Sequence, residues 1–177
     1  HLTWDDIDIA IDPNEPLVVE DVQYDLIMTP GHAPGHVALY QKEYGVFIAG
    51  DLVSGNGTIG VFPPTGDMIV YLDSLRRAKL LRPKVLLPGH GPEMNDPEAV
   101  FDFYLQRRAE REQEILQLVT VGGASVPEML PLMYPDILPE FSRSAIGTIY
   151  AHLLKLEHDG HVCGPDGDPL EGRWQPR

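Results

Sequence analysis

The sequence predicts an α/β protein in two parts, a strand-rich segment over residues 1–95 and a largely helical tail over residues 96–177. Three observations predict it. Short apolar, β-branched runs bounded by turn residues recur up to residue 95. One run of helical spacing, residues 68–81, interrupts them. From Asp96-Pro97 onward the helical period takes over, and strand-like sequence returns only near the end. A length of 177 residues suffices for one medium domain or two small ones, and a hydrophobic share of 43% sets disorder aside as the default.

Pro16 to Glu20 and Val22 to Met28 read as strands. His36 to Gln41 and Tyr44 to Ala49 read as a hairpin turning near Lys42 and Glu43. Residues 52–67 are rich in Gly and Pro without a period and read as a loop. Met68, Tyr71, Leu72, Leu75, Ala78 and Leu81 share one helical face, with Asp67 at the N-cap position and Pro83 as the stop. Lys84 to Leu87 is a short strand running into Pro88.

Asp96 followed by Pro97 opens the next helix, which runs to about Thr120 and ends at Gly122-Gly123. Ser125 and Glu128 have the spacing of a capping box and start a short helix reaching about Met133. Pro135 and Pro139 bracket a loop, and a further helix spans about Glu140 to Asp159, closed by Gly160. A turn at residues 165–168 then leads to a last strand near Leu170 to Trp174. Three helices followed by a β-hairpin is the order of a winged-helix module. There are no internal repeats.

The formal net charge of −14 argues against a broad electrostatic grip on nucleic acid. Basic residues cluster at Arg76, Arg77, Lys79, Arg82 and Lys84, and again at Arg107, Arg108 and Arg111. Both clusters read as solvated helix faces. No apolar run approaches the roughly 18 residues of a membrane span. The polar, acidic first residues lead us to expect no secretory signal, and the lack of an initiator Met a processed or partial chain. Cys163 is the only cysteine, which is compatible with a cytoplasmic location.

Chemistry concentrates in three short segments: TPGHAPGH at 29–36, FIAGD at 47–51 and LLPGHGP at 86–92. Each places a strong metal ligand, His32, Asp51 or His90, just past an apolar run, where strands hand the chain to loops. Two imidazoles and a carboxylate suit a zinc-type site but do not close one. His36 reads equally as a group that orients a ligand and as a strand-end histidine with an ordinary hydrogen bond. His152, His158 and His161 read as solvated or packed within the tail. Asp67, Tyr71 and the Gly55–Thr58 loop lie where they could border a cleft, although core packing is the favoured reading of Tyr71.

In this order and spacing the three segments resemble the second half of the metallo-β-lactamase fold. With residues 68–92 and the tail ending in LLKLEHDG, they resemble the β-lactamase-like-protein-2 group. The resemblance implies the second half of an αββα metallo-β-lactamase sandwich followed by a C-terminal winged-helix domain. It implies that His32 and His90 each bind one of two zinc ions and that Asp51, the catalytic carboxylate, bridges both. The activity implied is hydrolysis of an ester, thioester or phosphodiester, and some members of that group cleave single-stranded RNA.

The family's His-x-His-x-Asp-His motif is absent from this sequence. We therefore expect weak or no zinc binding by this chain alone, and little or no turnover. As partner we expect the N-terminal half of the same domain or a second copy; the substrate would be a small ester or thioester or a short single-stranded RNA. The alternative is a non-catalytic winged-helix interaction module binding a protein or nucleic acid.

Overall fold

The computed structural model describes residues 12–177, so the start of the expected first segment lies outside the described residues. Within them, strands β1 (Leu17–Val19), β2 (Val22–Met28), β3 (Val37–Gln41) and β4 (Val46–Gly50) precede helix α1 (Met68–Leu80) and strand β5 (Val85–Pro88). Helices α2 (Pro97–Thr120), α3 (Val126–Met133) and α4 (Pro139–His158) follow, then strands β6 (Val162–Cys163) and β7 (Gln175–Pro176). This matches the mixed α/β class expected, with most element ends within two or three residues of the sequence reading.

The first sheet has the order β1-β2-β3-β4-β5. Neighbours are antiparallel up to β4, and β4 pairs in parallel with β5. A parallel pair needs a long crossover, which the 52–67 loop and α1 supply. Alternation along the strands gives the sheet two unequal faces. Ala38, Tyr40, Phe47, Ala49 and Leu86 are buried in one core with Tyr71, Leu72 and Leu75 of α1. On the other face, Leu26, Leu39, Ile48 and Leu87 form a row across four strands, of which only Leu26 is fully buried.

The caps read from the sequence are formed. Asp67 Oδ1 accepts from the amides of Ile69 and Val70. Asp96 Oδ1 accepts from the amide of Ala99. The Ser125 amide donates to the Glu128 carboxylate at 2.8 Å. A second core gathers Ile115, Val119, Val126, Met129, Ile149 and Leu153 around Trp174. Helix α2 serves both cores, with Phe101 and Tyr104 in the first and Ile115 and Val119 in the second.

The last strand differs from expectation. It begins after Trp174 rather than at Leu170. Residues 168–172 are bent into a turn, the Gly172 amide donating to the Asp168 carbonyl, and the Trp174 indole donates to the Pro169 carbonyl. Pairing starts only where Trp174 exchanges backbone hydrogen bonds with Ala124.

Candidate metal centre

Strands β2, β4 and β5 all run the same way, because β3 is antiparallel to β2 and β4 and β5 is parallel to β4. Their C-terminal ends therefore lie along one edge of the sheet, and His32, Asp51 and His90 follow those ends. The structure brings the three together. His32 Nε2 lies 3.8 Å from Asp51 Oδ2, and His90 Nε2 lies 3.5 Å from Asp51 Oδ1. Each imidazole thus faces its own oxygen of one carboxylate.

The TPGH loop is pinned from α1. Ser74 Oγ donates to the Pro30 carbonyl at 2.7 Å, and the Asp67 amide donates to the Gly31 carbonyl at 2.8 Å. His32 Nδ1 lies 2.8 Å from the Gly60 carbonyl. A carbonyl only accepts, so Nδ1 carries the proton in the neutral ring and Nε2 keeps its lone pair on the Asp51 side.

His36 starts β3, between the strands that deliver His32 and Asp51. Its Nε2 accepts the Asp51 amide at 2.9 Å, and its Nδ1 proton points to Thr29 Oγ1 at 2.8 Å. Burial pushes the His36 pKa below its ordinary value against the opposing charge of Asp51, so the ring stays neutral and able to accept. Gly50, at φ 51°, makes room for it: a Cβ there would lie 2.7 Å from His36 Nε2. His36 therefore orients the backbone that carries Asp51.

His90 is freer, with 71% of its side chain exposed. Its loop is tied by backbone, the Gly55 amide donating to the His90 carbonyl and the Gly89 amide to the Gly50 carbonyl, each at 2.8 Å.

Two donors on one tetrahedral zinc stand about 3.3 Å apart. Both imidazole–carboxylate separations come within about half an ångström of that value, so the donor set fits zinc in type and spacing, as two pairs sharing Asp51. Among the described residues no group of three or more His, Cys, Asp or Glu side chains converges as a site for an ion.

The other residues singled out divide. Tyr71 is fully buried and spends its hydroxyl on the Leu52 carbonyl at 2.9 Å, and burial raises its pKa far above the ordinary phenol range. Asp67 is consumed as a cap. Gly55 borders the His90 loop. His152 is buried in the tail, while His158 and His161 are exposed.

The solvated-face expectation is corrected at two residues: Arg111 packs over the Tyr134 ring and donates to the Met133 carbonyl at 3.0 Å, and Arg108 is 3% exposed and donates to the Ile59 carbonyl beneath the 52–67 loop. A signal was available, since Arg108 stands four residues after Tyr104 and seven after Phe101, on the buried stripe of α2. Thr29 and the Gly60 carbonyl were also missed, and nothing in their local sequence marks them.

Comparison with known proteins finds family matches over two segments of the chain. Residues 2–90 match the Metallo-beta-lactamase superfamily, and residues 125–174 match the Beta-lactamase associated winged helix domain. The chain is 30% identical to a Beta-lactamase-like protein 2 homolog of Drosophila melanogaster and 33% identical to one of Caenorhabditis elegans. It covers 53% and 52% of them, with 88% of this chain aligned in each case. It thus spans about half the length of these curated relatives. A metallo-beta-lactamase family protein of Thermus thermophilus superposes with a TM-score of 0.80 at 27% identity, over 94% of this chain and 54% of that one.

Proposed function

Because the chain belongs to the metallo-beta-lactamase superfamily, we propose that it contributes one side of a two-zinc hydrolase centre. The observation that carries this reading is the pair of imidazoles facing opposite oxygens of Asp51. His32 would hold one ion, His90 the other, and Asp51 both. Each ion then has two protein donors, whereas catalytic zinc usually takes three plus water. The remaining donors come from a segment matching the other half of the relatives, or from a second copy. The half-buried row of Leu39, Ile48 and Leu87 is where that segment packs, since a sandwich sheet buries both partners' inner faces.

When bound, zinc supplies Lewis acidity and a water of lowered pKa. The residues of this chain do the positioning. The Gly60 carbonyl keeps the proton of His32 on Nδ1 and leaves Nε2 free. Neutral His36 fixes the amide of Asp51, so its two oxygens face two sides. The Gly55 amide holds the His90 loop against the 52–67 loop. The substrate is an ester, a thioester or a short single-stranded RNA, and the charge of −14 keeps any nucleic-acid contact short. Among the described residues no helix is long and apolar enough to cross a membrane. Separately, the single cysteine, Cys163, is compatible with the cytoplasmic location we propose. Lys155 of α4 is paired with Glu112 and Asp159, which leaves α4 poorly equipped as a phosphate-reading helix.

Calorimetric zinc titration tests this, on the chain alone and on the chain joined to its missing half. Tight binding by the joined protein, weakened by His90→Ala and Asp51→Asn, is expected, with weak or no binding by the chain alone. Sub-micromolar binding by the chain alone overturns the shared-centre reading. Binding by the joined protein that ignores both substitutions overturns the ligand assignment.

A further inference from the structure

Arg108 is an expensive residue where it stands. Its side chain is buried, and its Nε has no hydrogen-bond partner among the described residues. A buried charge without a carboxylate partner costs stability, so its retention calls for something the charge holds in place. The guanidinium lies over the Tyr71 ring, 5.4 Å from its centroid, and donates through Nη2 to the Ile59 carbonyl. The next carbonyl along the chain, that of Gly60, is the one that holds His32 Nδ1.

Gly60 cannot aim its own carbonyl. Glycine has wide backbone freedom, and a Cβ at this position would lie 2.7 Å from Ser144 Oγ of α4, so that hydroxyl would have to turn aside for any other residue. The direction of the Gly60 carbonyl is therefore set by its neighbours. Val61, fully buried, fixes one side. Arg108 fixes the other by gripping the Ile59–Gly60 peptide. One turn earlier on α2, Tyr104 anchors the start of the same loop, its hydroxyl accepting the Ser54 amide at 2.7 Å and facing the Gly57 carbonyl at 2.8 Å.

We propose that Arg108 is a positioning residue of the metal centre, acting through the Ile59–Gly60 peptide to set the tautomer and ring orientation of His32. Its meaning for catalysis rests on the ligand role of His32, but the positioning itself does not. Helix α2, which carries Arg108, runs on into the second core.

The test reads the His32 tautomer directly, without metal, by long-range proton–nitrogen NMR of the full chain carrying ¹⁵N-histidine. The wild type should show His32 with its proton on Nδ1. Arg108→Met should move His32 toward the Nε2-protonated form or an exchange average while leaving the exposed His158 and His161 unchanged, and Arg108→Lys should restore it in part. Arg173→Met, which removes a surface pair with Glu128, is the control and should move nothing. In the protein joined to its missing half, Arg108→Met should weaken zinc binding about tenfold or more.

A folded Arg108→Met chain with an unchanged His32 tautomer overturns the proposal. If Arg108→Met does not fold, Arg108→Lys decides alone: a His32 population identical to wild type overturns it, and a shifted one supports it. A shift in the tautomer with no zinc binding by any variant leaves the positioning standing and removes the two-zinc reading instead.

Discussion

The two cores of this chain are finished to different degrees. Around Trp174 the second core is closed: Val119, Val126, Met129, Ile149, Leu153 and Val162 are fully buried, and a turn folds back to satisfy the indole. Among the described residues, the first core is closed most fully on the α1 side of its sheet. Across the other side, Leu39, Ile48 and Leu87 are half-buried in a continuous row. His32, Asp51 and His90 follow the strand ends along one edge of that sheet, so under the proposed function the segment that covers the row would also bring the remaining donors.

The strongest way to break this contrast is to empty the closed core. Trp174→Ala should cost about 3–5 kcal/mol, the usual loss for a fully buried large aromatic. Urea unfolding followed by circular dichroism measures it. A loss below about 1 kcal/mol would mean that the second core is not the stable one.

Acid should reach the tail next. Burial pushes the His152 pKa below its ordinary value, its bond to Glu112 working against this and the charges of Arg108 and Lys155 adding to it. The unfolded ring takes up a proton at about 6.5, the folded one only at lower pH. His152 thus contributes stability that is fully present above about 6.5 and is lost as pH falls through the window down to its folded pKa. His152→Leu should flatten that slope in a pH series of urea midpoints. His36, which burial shifts the same way, contributes to the slope left over. An identical slope in the variant would show that His152 is not the titrating group.

A charge on the open face sharpens the contrast from the other side. Leu39→Glu should cost this chain about 1–2 kcal/mol, less than the loss at Trp174, because Leu39 is only partly buried. It should nevertheless abolish association with the missing half, or with a second copy, in sedimentation or calorimetry. Full association by the variant would place the contact elsewhere.

How much of this was legible in the sequence follows from the range of each interaction. Asp67, Asp96 and the Ser125–Glu128 pair act within three residues, so their caps could be read directly. His32, Asp51 and His90 could be read as a set because Pro-Gly-His frames and strand ends are local marks, and parallel strands then bring them to one edge. The Gly60 carbonyl that holds His32 and the Ile59 carbonyl that Arg108 grips could not. They depend on which carbonyl a loop turns inward, 28 residues from His32 in one case and 49 from Arg108 in the other. The strand at Trp174 slipped for a related reason: its pairing partner, Ala124, lies 50 residues earlier, on the far side of two helices.

The smallest effect on folding should come from the residue that matters most at the centre's open side. His90 has 71% of its side chain in solvent, and its loop is held by backbone hydrogen bonds that a substitution leaves in place. His90→Ala should therefore change the stability of this chain by no more than about 0.5 kcal/mol. His32 is the counterpart, half-buried and tied through Nδ1 to Gly60, so His32→Ala strands a carbonyl and should cost about 1 kcal/mol or more. Paired unfolding curves of the two variants separate the anchored imidazole from the free one. Equal losses would mean that His90 is held by more than its loop, and that the anchored and the exposed imidazole are fixed alike in this chain.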